Sequence, residues 1–125
     1  MNAKEITIRR IVPNIYSDNL EASKAFYVNF LQMDLMMDLG WVLTFASGEN
    51  PTAQISIFKN EGAEKPDNKS IFLSIEVSDV DKMYERAEKM DCDIVYKLTD
   101  EDWGVRRFFV KDPNGVTINL LTHKN

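Results

Sequence analysis

Cysteine and histidine are almost missing from this 125-residue chain, which has one of each, Cys92 and His123. A lone thiol closes no internal disulfide. A zinc site of four cysteines, or of two cysteines and two histidines, is arithmetically impossible, and a Ser-His-Asp triad is open only to His123, near the end of the chain. Basic stripes are also lacking. Fifteen Lys and Arg against 20 Asp and Glu give a net charge of −5, and Arg9-Arg10 and Arg106-Arg107 are isolated pairs that release few counterions from a phosphate backbone. No apolar run approaches the roughly 20 residues needed to span a bilayer, and Met1-Asn2-Ala3-Lys4-Glu5 has no apolar signal core. The expectations are no nucleic acid, no membrane partner and a cytoplasmic location. The acidity favours long-range attraction of a cationic small molecule.

What is present is a globular composition, 44% apolar and 28% charged, at a length suited to one core. The chain is expected to be a single domain, 1–125. Ile6 to Tyr16 is rich in β-branched residues and interrupted by Pro13, which suits an edge strand or bulge. Ser17 and Asp18 offer N-cap oxygens to a helix of about three turns carrying Leu20, Phe26, Tyr27, Phe30 and Leu31 on one stripe. Leu35 to Asp38, Trp41 to Ala46 and Gln54 to Lys59 read as strands, and the aperiodic Asn60 to Lys69 as a linker. The order then repeats. Ile71 to Val77 is a strand, Ser78 and Asp79 are caps, and Val80, Met83, Tyr84, Ala87 and Met90 recur with helical spacing. Asp93 to Lys97, Arg106 to Lys111 and Val116 to Thr122 follow as strands, the last two joined by the turn Asp112-Pro113-Asn114-Gly115. Module one spans about 6–60 and module two about 70–123, and neither has enough apolar surface to stand alone.

Three segments carry a family resemblance: Asn19 to Tyr27, Ile75 to Val80, and above all Trp103-Gly104-Val105-Arg106-Arg107-Phe108-Phe109-Val110-Lys111-Asp112-Pro113-Asn114-Gly115. The chain resembles the glyoxalase/bleomycin-resistance/extradiol-dioxygenase group, the vicinal oxygen chelate superfamily, and most of all its bleomycin-resistance-like members. The resemblance implies an α+β fold of two βαβββ modules whose curled mixed sheets form a cup, and a homodimer. Members include metalloenzymes, thiol transferases and drug-binding proteins, so the fold leaves the function open. In the metalloenzymes, His or Glu ligands come from the first and last strands of each module. The matching places here are Ile11 to Val12, Ser56 to Phe58, Phe72 and Asn119, none a His or a carboxylate. No metal, no cofactor and no catalytic residue are therefore expected, because a neutral amide does not replace a carboxylate as a ligand or as a base.

The ligand-binding candidates are Trp41, Phe58, Phe72, Trp103, Arg106 and Asn119. Trp41 suits stacking on a planar ligand or, equally, capping of the core, whereas Trp103, in a loop beside Gly104 and after Asp100-Glu101-Asp102, favours ligand contact. In the resistance proteins a Pro commonly precedes the Trp-Gly, and Asp102 takes its place here. Arg106 suits an anionic ligand group or a carboxylate of a neighbouring strand. Asn119 suits a ligand hydrogen bond or a backbone one. Phe45 and Phe109 are core or cavity lining, and Met33, Met36 and Met37 core or an adaptable wall. His123 is expected at the surface outside the cup, Cys92 to be unreactive between Asp91 and Asp93, and the Asp-Pro-Asn-Gly turn to be a turn device only. Three functions follow as expectations: a metal-free small-molecule binding protein of the bleomycin-resistance type, a glyoxalase-like lyase or isomerase acting on a small carbonyl or thiol conjugate, and an assembly module using the edge strand Ile6 to Ile11.

Overall fold

In the computed structural model, which describes residues 5–124, the chain builds the same topology twice. The first module contains β1 (Asn14–Ser17), α1 (Leu20–Lys24) continuing as the π-helical segment Ala25–Phe30, β2 (Asp34–Asp38), β3 (Val42–Ala46) and β4 (Gln54–Lys59). The second contains β5 (Phe72–Glu76), α2 (Val80–Lys89), β6 (Asp93–Asp100), β7 (Val105–Lys111) and β8 (Thr117–His123). Each module forms an unclosed four-stranded sheet, ordered β1-β4-β3-β2 and β5-β8-β7-β6. The first strand lies parallel to the last, and the other pairs are antiparallel. The fold expected from the resemblance is the fold observed.

Strand alternation gives each sheet two different faces. One face joins the helices in a shared core that includes Ile15, Leu43, Phe45, Ile55 and Ile57 from the first sheet and Phe108, Val110, Ile118 and Leu120 from the second. Tyr27 and Phe30 from the π-helical segment and Val80, Met83 and Ala87 from α2 complete it. The other face of each sheet, here the open face, points away from the helices. On the first sheet it carries Tyr16, Val42, Thr44, Ser56 and Phe58, and on the second Phe72, Ser74, Arg107, Phe109 and Asn119.

The modules are latched by polar groups from the β7–β8 turn. The Tyr27 hydroxyl donates to Asp112 Oδ2 at 2.7 Å, and Asn114 Nδ2 donates to Ser23 Oγ at 3.0 Å. Asp112 also accepts the backbone N–H groups of Asn114 and Val116, so a buried carboxylate holds its own turn while reaching the other module. Gly115 supplies the φ of +91° that the turn requires. The segment between the modules is anchored too: buried Asn68 donates from Nδ2 to the carbonyls of Tyr16 and Asn114.

Several local expectations are corrected. Ile6 to Val12 is not a strand: among the described residues Ile11 makes only an isolated bridge to Ala53, and the exposed residues before it make no strand pairing. The first helix is capped by Asn19, whose Oδ1 accepts from Ala22 N, rather than by Ser17 or Asp18; Ser17 Oγ instead accepts the Asn19 N–H. Beyond Lys24 the helix widens into the π-helical segment. In the second module Asp79 caps α2 as the spacing predicts.

Candidate functional site

Two extra residues in β6 create the central feature of the second open face. In register, Ile94 faces Val110 on the core side, yet Tyr96 faces Phe109 and Thr99 faces Arg107, with a shift on either side of Tyr96. Bulges of this kind turn a side chain to the other face of a strand. Tyr96 thereby stacks on Phe109, with centroids 4.6 Å apart, and Phe72 meets the other side of Phe109 edge-on at 5.1 Å. Phe72 on β5, Phe109 on β7 and Tyr96 on β6 thus form an aromatic floor that reaches across the sheet, with β8 passing between Phe72 and Phe109.

Arg107 extends this floor. Its Cζ lies 4.8 Å from the Phe109 centroid, 5.1 Å from that of Trp103 and 5.6 Å from that of Tyr96. Its Nε donates to Glu101 Oε2 at 2.6 Å, and the Tyr96 hydroxyl donates to the same oxygen at 2.9 Å. Glu101 is well shielded from solvent, so the ion pair is partly desolvated and geometrically fixed rather than a loose surface contact.

Asn119, 6% exposed, lies beside the floor in register with Phe109 and Ser74. Its Nδ2 donates to Ser74 Oγ at 3.0 Å, and its Oδ1 is buried without a hydrogen-bond partner. Turning the amide over exchanges the two atoms but leaves the same end bare, because the Ser74 hydroxyl accepts or donates equally well. An unmet buried polar group of this kind suits a ligand atom.

The six residues singled out from the sequence are therefore not one cluster. Phe72, Trp103 and Asn119 share the second open face. Trp41 and Phe58 lie on the first sheet, 6.0 Å apart between centroids, with Tyr16 packed on the other side of Phe58 at 6.2 Å. Trp41, Phe72 and Trp103 are 51%, 53% and 65% exposed, so neither half-site is covered. Arg106 belongs to neither. It projects with Phe108 to the helix side, where Nη2 meets Asp81 at 2.8 Å and Nη1 meets Asp100 at 3.2 Å. Lys124 also pairs with Asp100, at 2.9 Å. The recess of about 280 Å³ beside these groups therefore holds a guanidinium already matched by two carboxylates. A second recess, about 570 Å³ between the first helix and β2, is lined by Glu21, Lys24, Val28, Met33 and Leu35 and shares no lining residue with either aromatic cluster.

Arg107, Tyr96, Phe109 and Glu101 complete the site; the sequence pattern singles out none of the four as a ligand residue, and for Phe109 it is equally consistent with core and cavity. His123 is the last residue of β8, on the same side as Asn119 by alternation, so it stands at the rim of the open face, with Nδ1 2.8 Å from Glu76 Oε2. That contact holds the Glu76 carboxyl below its ordinary range. Burial, then the charge of Asp91, push the Cys92 thiol up, consistent with an unreactive thiol. At the places where the resemblance expects metal ligands, Ile11 to Val12, Ser56 to Phe58, Phe72 and Asn119, the side chains are hydrocarbon, hydroxyl and neutral amide. Among the described residues no three His, Cys, Asp or Glu side chains converge. This donor set does not fit a divalent cation.

Known structures share this architecture. TioX from Micromonospora sp. ML1 superposes with a TM-score of 0.78 at 18% identity, over 91% of this chain and 98% of that one. A glyoxalase/bleomycin resistance protein/dioxygenase superfamily member from Sphaerobacter thermophilus gives 0.78 at 20% identity, over 94% and 98%. The bleomycin resistance determinant encoded on the transposon Tn5 gives 0.74 at 15% identity, over 94% and 100%. At these identities the likeness is one of fold. Among curated proteins none matches this chain. Residues 7–120 match the family model described as the Glyoxalase/Bleomycin resistance protein/Dioxygenase superfamily, and the chain belongs to that superfamily.

Proposed function

We propose that this protein binds a small planar molecule without a metal, in the manner of a bleomycin-resistance protein, and does so as a homodimer. The observation that carries the reading is the uncovered floor of Phe72, Phe109 and Tyr96 with the bare amide end of Asn119 at its side. A flat ligand laid on it buries apolar area, gains about 0.5–1.5 kcal/mol per well-placed ring pair beyond that area, and finds one directed hydrogen bond. Trp41 and Phe58 form a second aromatic half-site on the other sheet. A second copy that sets its first sheet against this second sheet closes a two-walled cup. The exposed Ile6, Ile8 and Ile11 add apolar surface for that contact.

Isothermal titration with bleomycin tests the drug identity: saturable heat supports it, and no heat at high micromolar drug removes it. Light scattering tests the assembly, with twice the chain mass of 14.4 kDa expected. A monomer at micromolar concentration rejects the two-copy cup.

The His123–Glu76 pair supports a second reading, a glyoxalase-like lyase or isomerase. In the neutral ring Glu76 fixes the proton on Nδ1, leaving Nε2 as a proton acceptor at the rim. Turnover of small hemithioacetals that falls with His123→Gln favours this reading, and no turnover removes it.

A further inference from the structure

We infer that Arg107 sets the charge class of the ligand, and that the free edge of its guanidinium takes a carboxylate or similar planar oxyanion carried on an aromatic ring. This rests on the proposal that the second open face is a ligand floor. Three features fix the guanidinium before any ligand arrives. Nε is committed to Glu101 at 2.6 Å, the Phe109, Tyr96 and Trp103 rings surround Cζ within 4.8–5.6 Å, and Glu101 is itself held by the Tyr96 hydroxyl. The terminal nitrogens Nη1 and Nη2 have no hydrogen-bond partner among the described residues, and the Arg107 side chain keeps 22% of its surface exposed. They form a pre-organised fork whose spacing matches two carboxylate oxygens.

The surroundings sharpen the selection. Glu101 cancels the charge of Arg107, so a small inorganic anion meets no net attraction; the oxyanion must arrive on a ring that the floor itself binds. A cation is disfavoured, because the rings that would hold it already hold Arg107. Local chemistry thus opposes the preference for cations that the net charge of −5 suggests at long range. Arg106 offers a contrast on the same strand: Asp81 and Asp100 use its fork, and it lies on the other face.

Three probes of one ring system test the inference on the full chain by isothermal titration: 2-naphthoate, 2-naphthylmethylammonium and 2-naphthylmethanol. The expected result is naphthoate at least tenfold tighter than the ammonium compound, with Arg107→Met bringing naphthoate down to the neutral alcohol. Arg107→Lys should retain part of the preference, and Arg106→Met should leave the order of the three unchanged. Circular dichroism establishes folding of each variant, and the wild-type order decides the matter even where Arg107→Met fails to fold. Ammonium binding equal to carboxylate binding, or an unaltered order in Arg107→Met, overturns the inference. If the alcohol binds and the carboxylate binds no better, only the role of Arg107 falls; if none of the three binds, the ligand floor falls with it.

Discussion

Tyr27 and Asp112 lie 85 residues apart and in different modules, yet their side chains meet in a buried 2.7 Å hydrogen bond. Burial first, then the Asp112 charge and hydrogen bond, raise the Tyr27 hydroxyl well above the ordinary tyrosine range. The bond joins the helix of the first module to the β7–β8 turn of the second. The open faces on both sheets are consequently held in a fixed relation by a contact on neither.

Tyr27→Phe deletes one hydroxyl and leaves a buried carboxylate short of a donor. A loss of about 1–3 kcal/mol in urea unfolding is expected, with an unchanged denaturant slope. Asp112→Ala should cost more, because the Asn114 and Val116 amides lose their acceptor as well. A Tyr27→Phe protein as stable as wild type would show that the latch contributes nothing.

The same bond has an alkaline signature. A hydroxyl whose ionisation is raised by folding contributes stability that is complete below its unfolded pKa, about 10, and is lost as pH rises through the folded value. Wild type should lose stability above that pH more steeply than Tyr27→Phe, as followed by urea midpoints.

The Arg106 cluster acts at the acid end. The Arg106 hydrogen bond holds Asp81 low, and those of Lys124 and then Arg106 hold Asp100 low, both from 3.8. The folded state therefore binds fewer protons than the unfolded state near and below that pH, so this stabilisation is present above it and disappears as pH falls. Arg106→Gln should flatten the acid limb of the stability curve, and molar salt should narrow its gap from wild type. Parallel acid limbs in the two proteins would refute the coupling.

Asn119→Leu separates binding from stability. Removing an amide with one unmet end should leave stability within about 1 kcal/mol of wild type or raise it, while weakening any ligand seated beside Phe109. Thermal unfolding and titration of the same sample read the two effects. A large destabilisation would mean that the amide serves the fold alone.

Removal of the exposed isoleucines probes assembly. Ile6→Ser with Ile8→Ser should raise the dimer dissociation constant at least tenfold without altering the far-ultraviolet dichroism of the monomer, since both side chains lie outside the core. Sedimentation equilibrium gives the constant. An unaffected dimer would exclude this segment from the interface.

The repeated strand and helix order, the second helix with its Asp79 cap and the closing turn were legible because each rests on short-range chemistry: apolar spacing, a capping oxygen, a glycine with positive φ. The π-helical widening was not, because Phe26, Tyr27, Phe30 and Leu31 read the same on an α or a π turn. The second use of Asp112 and Asn114 was hidden because a turn alone accounts for both residues. The choice between Arg106 and Arg107 depended on which face of β7 meets the helices. Arg106-Arg107-Phe108-Phe109 presents one Arg and one Phe to either side, so alternation could not decide, and the residue chosen lies one position from the one on the floor. Tyr96 was missed for a related reason: only the bulges in β6 send it to the open face.

That doubled Arg-Arg-Phe-Phe run also bears on how the hairpin forms. A β7 strand slipped by one residue along β8 would still send a phenylalanine inward and an arginine outward, so these four residues by themselves penalise the slip weakly. Discrimination falls to the residues that flank them: a slip would turn buried Val110 outward and Lys111 into the core, and would part Arg107 from Glu101. Correct registration is thus a boundary condition imposed on a degenerate run by its neighbours in the same strand. Lengthening the turn by one residue should therefore lower stability rather than shift the register, because the shifted hairpin would bury Lys111 where Val110 now packs.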